Sequence, residues 1–154
     1  LVYTLTVTAL AQGEVVVTVP AGAATDAVGN GNTQGSASVV FSTSFDLDGD
    51  GYTNFRDIVF CYRYLNGHPT VADGVTLPDG ETTATVEARI ERLMIADGSG
   101  FAPLDVDMDG AVNMRDIIFV YRRMFGYQTV AAGVTLPDGV TEAAVNGRID
   151  AILL

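Results

Sequence analysis

Cysteine, lysine, tryptophan and histidine are nearly missing from this chain of 154 residues: it has one Cys, one His, no Trp and no Lys. The lone Cys61 excludes an intrachain disulfide and any cysteine-built metal cluster. It stands in an apolar helical stretch and reads as a small buried hydrophobe. The absence of lysine argues against assembly through lysine isopeptide cross-links. The one histidine, His68, lies between Gly67 and Pro69 and reads as a loop residue, and no Ser-His-Asp, Cys-His or zinc-site spacing is present. The chain is therefore expected not to be an enzyme. Basic charge is scarce too. Eight arginines face 19 acids, for a net charge of −11. That balance repels nucleic acid and anionic membrane and suits cations. No apolar run approaches the roughly 18 residues of a membrane span. The sequence shows no signal-peptide pattern and begins at Leu1 rather than Met, so it is expected to be an excised or processed piece of something longer.

What is present is a repeat. Shifted by 59 positions, residues 46–95 align with 105–154 without a gap, with 27 identities in 50. Each unit reads as loop, helix, turn, helix. The first helix carries Ile58, Cys61, Tyr62 and Leu65 on one face and ends at Gly67; its counterpart carries Ile117, Val120, Tyr121 and Met124 and ends at Gly126. Pro78-Asp-Gly is a turn signal. The second helix begins near Thr82 with Val86, Ile90 and Leu93 as its stripe, repeated by Val145, Ile149 and Ile152. One unit has too few faces to bury these stripes, so two units are expected to close one core with pseudo-two-fold symmetry.

Eight of the 19 acids lie in the two loops, 46–57 and 105–116. Calcium takes six to eight oxygen ligands, and a 12-residue EF-hand loop supplies them from positions 1, 3, 5, 7, 9 and 12. The first loop offers Asp46, Asp48, Asp50, the Tyr52 carbonyl, Asn54 and Asp57, with Gly51 at the sharp turn. The second offers Asp105, Asp107, Asp109, the Ala111 carbonyl, Asn113 and Asp116, with Gly110 at the turn. Alternate residues of a tight loop converge on one centre, so two calcium ions are expected. They would move the net charge from −11 to −7. Arg56 and Arg115, inside the loops, read as charge-balancing, and Arg122-Arg123 as an exposed helix face. Counting acids leaves a glycosidase dyad open, yet most of the clustered acids are assigned to calcium, and ligated carboxylates make poor proton donors.

Asp rather than Glu at position 12, and the absence of a helix before the first loop, make residues 46–154 resemble dockerin type I domains. That resemblance implies calcium binding and docking onto a cohesin domain through loop positions 10 and 11 and the helix beyond. Those positions are Phe55-Arg56 and Met114-Arg115 here, unlike the small hydroxyl residues of cellulosomal members, and the spacer after the first helix is longer than usual.

Residues 1–42 have another character. Thr4, Thr6 and Thr8 alternate with Tyr3, Leu5, Val7 and Ala9, the period of a half-buried strand. Two further strands are expected, from Glu14 towards Pro20 and from Ser36 to Phe41. With the Val-Pro-Ala-Gly-Ala-Ala-Thr-Asp run from residue 19, this part resembles the C-terminal portion of a bacterial immunoglobulin-like domain. The expected class is thus α+β: a partial immunoglobulin-like β-sandwich over 1–42, then a dockerin-like helical domain over 43–154. Three short strands leave open edges. The main expectation is a non-enzymatic extracellular or bacterial cell-surface module, a filament or adhesion segment whose copies pair by strand addition. The alternative is a docking module for a cohesin-like receptor. Asp26, Asn30 and Asn32 offer a third metal site or, more simply, turn residues.

Overall fold

The computed structural model describes residues 13–41, 44–96 and 99–153. The chain divides into two compact units, Leu1–Ser42 and Thr43–Leu154. In the first, strands β1 (Gly13–Val19) and β2 (Gly35–Phe41) pair antiparallel, with Gly13 opposite Phe41 and Val19 opposite Gly35. A Val-rich, β-branched run favours that pairing. The strand expected from Tyr3 to Ala9 lies outside the described residues. Among the described residues this unit is a two-stranded sheet; an immunoglobulin-like sandwich is not seen.

The connection between the strands closes on its own side chains. Asn32 Oδ1 accepts from the Ala24 N–H at 2.8 Å, while its Nδ2 donates to the Pro20 and Thr33 carbonyls. Asp26 accepts from Asn30 Nδ2 and from the Val28 and Asn30 N–H groups, each at 2.9 Å. These bonds, that from the Asn30 side chain foremost, hold the Asp26 carboxyl below its usual range. Asp26, Asn30 and Asn32 thus serve as turn residues.

The second unit holds α1 (Phe55–Leu65), α2 (Thr83–Met94), α3 (Met114–Met124) and α4 (Glu142–Leu153). Capping fixes where they start. Asn54 and Asn113 each accept the N–H of the second helical residue, Arg56 or Arg115, at 2.8 Å. The third helical residue, Asp57 or Asp116, accepts the cap's own N–H in return. In α2 the cap Thr82 and the third helical residue, Thr85, each accept the other's N–H on a side-chain oxygen. Gly67 and Gly126, with φ of 67° and 72°, let the chain leave α1 and α3 through the left-handed region.

Helix α1 packs on α3, α1 on α2, and α3 on α4. The core draws equivalent residues from both repeats: Phe60 with Phe119, Leu47 with Val106, Ile90 with Ile149. Cys61 is fully buried within it, as expected, and burial pushes its thiol upward. The repeats also clasp each other. The Phe45 N–H donates to the Ile152 carbonyl at 2.6 Å, and the Leu104 N–H donates to the Leu93 carbonyl at 2.9 Å. Each loop's entry is therefore fastened to the last helical turn of the other repeat, which closes the pseudo-two-fold.

Arginine pairs repeat this symmetry. Arg63 Nη1 donates to the Val71 and Asp73 carbonyls, and Arg122 Nη1 to the Val130 and Ala132 carbonyls. Arg122 is thus not simply an exposed helix residue, because its long side chain reaches back to satisfy the turn that follows α3. Arg123 pairs with Asp150 at 2.7 Å. Phe119 is wholly buried, so Phe119→Ala is expected to cost about 3–5 kcal/mol. Urea unfolding followed by circular dichroism checks this, with a midpoint near wild type contradicting it.

Candidate metal centre

Each loop is folded by its own carboxylates. Asp46 Oδ1 accepts the Gly49 and Asp50 N–H groups at 2.9 and 3.2 Å, and Oδ2 accepts the Gly51 N–H at 2.9 Å. Asp48 Oδ1 accepts the Asp50 N–H at 3.2 Å, and Asp50 Oδ1 the Tyr52 N–H at 2.9 Å. The second loop repeats this through Asp105, Asp107 and Asp109. In each, the backbone turns at a glycine with positive φ, Gly51 or Gly110.

These bonds draw one carboxylate oxygen from each of Asp46, Asp48 and Asp50 to within 4.8 Å of one another, and likewise from Asp105, Asp107 and Asp109. The other expected ligands have further duties. Asp57 Oδ1 accepts the Leu47 N–H and Oδ2 the Asn54 N–H, both at 2.8 Å. Asp116 does the same with Val106 and Asn113, both at 2.9 Å. Asn54 and Asn113 spend their side-chain oxygens on capping, and their Nδ2 groups donate to the Tyr52 and Ala111 carbonyls. So three carboxylates per loop converge, while positions 7, 9 and 12 are tied into the helix start.

The charge density is high and partly buried. Asp48, Asp57, Asp107 and Asp116 have no exposed surface. Burial first, and then the nearby acids, raise Asp57 to about 6. Burial, with Asp107 and Asp105 nearby, raises Asp116 to about 7. Burial also raises Asp48 and Asp105. Inside each loop sits the arginine of position 11. Arg56 Nε lies 2.5 Å from Asp48 Oδ2, and Arg56 Nη2 donates to Asp50 Oδ2. Arg115 stands the same way against Asp107 and Asp109.

Asp48 Oδ2 and Asp107 Oδ2 are buried and make no hydrogen bond among the described residues. The 2.5 Å approach of each arginine Nε is a charge contact without the direction of a hydrogen bond, so these oxygens are attracted but not satisfied. An all-oxygen donor set with buried, under-satisfied carboxylates fits a hard divalent cation such as calcium. It does not fit zinc or copper, which favour nitrogen and sulfur.

The sequence analysis did not anticipate two more arginines. Arg89 Nη1 donates to the Leu47 carbonyl at 3.0 Å, and its partner Glu81 holds it at 2.6 Å. Arg148 donates to the Asp105 and Ala102 carbonyls at 3.1 and 2.6 Å. Each steadies the start of a loop. Their signal was the 59-residue spacing, which places both in the second helix of a repeat.

Comparison with protein families matches the Dockerin type I domain over residues 44–125, just over half of the chain. The match takes in both loops and α1 to α3. No curated protein and no solved structure matches.

Asp50→Ala and Asp109→Ala each remove one converging carboxylate, so each is expected to reduce calcium stoichiometry from two to one by isothermal calorimetry; two remaining sites would contradict the assignment. The pH dependence follows from the raised carboxyls. Between 3.8 and about 6 or 7, Asp57 and Asp116 keep protons when folded that the unfolded chain has lost. In chelator, stability is therefore expected to fall as pH rises through that window. Calcium binding needs the anions and is expected to strengthen over the same rise, with proton release. Melting curves in chelator at pH 5 and pH 8, and titrations in buffers of different ionisation enthalpy, check both signs.

Proposed function

The chain belongs to the dockerin type I family, and from that premise we propose that residues 43–154 are a non-catalytic docking module that binds two calcium ions and seats on a cohesin-type receptor. The observation that carries this reading is the pair of converging Asp trios, in register 59 residues apart and both inside the matched region. Residues Asp46, Asp48, Asp50, Tyr52, Asn54 and Asp57 would hold one ion; Asp105, Asp107, Asp109, Ala111, Asn113 and Asp116 would hold the other. Calcium when bound supplies the positive charge that these clustered carboxylates need. The chain's own residues do the rest: Asp57 and Asp116 tie each loop to its helix, and Arg89 and Arg148 hold the loop's first carbonyls.

The outward face of α1 and α3 suits a partner. Phe55, Tyr62, Ile118 and Phe125 are each more than two-fifths exposed. Phe55, Tyr121 and Phe125 meet edge-on or tilted, with centroids 4.7–6.3 Å apart, and Tyr127 joins Tyr121 at 6.3 Å. The only acids in these two helices, Asp57 and Asp116, are buried, whereas five of the eight arginines lie there. In a chain of net charge −11 this is an aromatic face whose two helices expose no acid, suited to an apolar partner surface.

The repeat partners of Phe55, Tyr121, Phe125 and Tyr127 are Met114, Tyr62, Asn66 and His68. The two ends of the face are chemically unlike, which favours one docking orientation over two. Family membership supports docking over the fibre of like copies expected from sequence. It also supports a secreted or cell-surface setting. We read the β1–β2 pair as part of a larger, immunoglobulin-like β domain, since two strands alone are marginal in water.

The test is binding to a panel of cohesin domains by biolayer interferometry. Binding by at least one member in millimolar calcium, lost in chelator, is expected. Phe125→Ala is expected to weaken it by tenfold or more, about 1.4 kcal/mol, and Asn66→Ala by little. Equal effects of the two would sink the single orientation, and binding unchanged by chelator would sink the calcium-dependent reading.

A further inference from the structure

Arg56 and Arg115 are the second residues of α1 and α3. A positive side chain at a helix N-terminus faces the positive end of the helix dipole and is disfavoured there. Its presence at the same place in both repeats requires a compensating partner, and the loop carboxylates provide one.

The geometry is specific. Within each trio the Oδ1 atoms of positions 3 and 5 are occupied by loop N–H groups. The Oδ2 atoms of those same two carboxylates face the arginine. Each guanidinium thus bridges two of the three carboxylates that converge for a cation. Its side chain is one-third exposed, 33% for Arg56 and 34% for Arg115, while Asp48 and Asp107 are closed to solvent. The arginine therefore has a route outward, as do the position-5 carboxylates, at 21% for Asp50 and 24% for Asp109, while the position-3 carboxylates do not.

We propose that Arg56 and Arg115 are built-in competitors of calcium, each guanidinium neutralising the position-3 and position-5 carboxylates of its loop until the ion takes them over. The inference rests on the calcium-binding reading above and adds to it a control on affinity. A monovalent cation held by the fold at the ligand oxygens lowers the net attraction for the incoming ion. It also removes carboxylate repulsion that would otherwise open a loop whose position-3 acid is buried. The loops are then held in shape at low calcium, and the ion binds more weakly than the acid count alone suggests.

The experiment is calcium titration by isothermal calorimetry of the full chain with Arg56→Gln, Arg115→Gln and Arg56→Lys, alongside melting in chelator. Arg92→Gln, an exposed arginine of α2 remote in sequence from the loops, is the control. Each Gln variant is expected to bind calcium at one site roughly tenfold more tightly at low salt, with the gain shrinking as salt rises. Each is also expected to melt about 3–5 °C lower in chelator, with the deficit abolished in saturating calcium. Arg56→Lys, which keeps the charge but cannot bridge two carboxylates, should fall between. Gln variants with dissociation constants within twofold of wild type, or with unchanged melting in chelator, overturn the proposal while leaving calcium binding standing. A wild-type titration with no calcium heat overturns both readings at once.

Discussion

One buried carboxylate per repeat joins the candidate ion site to the fold. Asp57 takes the Leu47 N–H on one oxygen and the Asn54 N–H on the other, and Asp116 does the same with Val106 and Asn113. Leu47 and Val106 are core side chains, and Asn54 and Asn113 are helix caps. The same anion therefore pins a loop whose side chain anchors it in the core and a helix whose first turn it completes. Burying that anion beside a trio of acids is unfavourable unless positive charge arrives or a proton stays. The raised carboxyls are the sign of that conflict. A divalent ion resolves it at the point where loop, helix and core meet.

Duplication solves the rest. A single repeat has two helices and little to bury them against. Two repeats share one core, and the exchange of entry and exit bonds between Phe45 and Ile152, and between Leu104 and Leu93, holds each loop's start against the other repeat. The symmetry is imperfect where side chains meet solvent. Gly49 takes a positive φ of 72° at loop position 4, and Met108 takes 57° at the same place in the second loop, a conformation that a side chain makes less favourable. A Cβ on Gly49 would come within 2.7 Å of Glu81 Oε1. Glu81 itself becomes Val140 in the second repeat, so Arg148 binds carbonyls there without that carboxylate partner.

Much of this was legible in the chain itself. The 59-residue period and the apolar stripes of 58–65 and 86–93 marked the helices, because a 3.6-residue period survives without knowledge of neighbours. The two Asp trios were legible because ligand spacing is local. Roles set by competition between partners were not. Asn54 and Asn113 read as ligands at position 9, and the spacing did not show that the same oxygens also cap a helix by accepting the N–H two residues on. Arg122 looked exposed because a sequence does not say that the following turn leaves two carbonyls within its reach. The aromatic group of Phe55, Tyr121 and Phe125 joins residues more than 60 positions apart, and only the packing of α1 on α3 brings it together. The N-terminal strand pattern from Tyr3 to Ala9 falls outside the described residues.

The position of Arg56 and Arg115 connects the acidic site to the start of α1 and α3. A dockerin-type surface built on α1 and α3 begins at loop positions 10 and 11, one residue from the buried Asp of position 12. A partner there meets the ion site's electrostatics directly. With a guanidinium drawn into each trio, the helix starts offer Phe55 and Met114 while the positive charge points inward, toward Asp48 and Asp107. Charge that points inward cannot steer an acidic partner, because its field is cancelled within a few ångströms by the carboxylates it touches. A divalent ion at the carboxylates removes the reason for that orientation. In a chain otherwise dominated by acids, the docking face we propose on α1 and α3 would depend on how the loop acids are neutralised, which would make the metal site and that surface one electrostatic system.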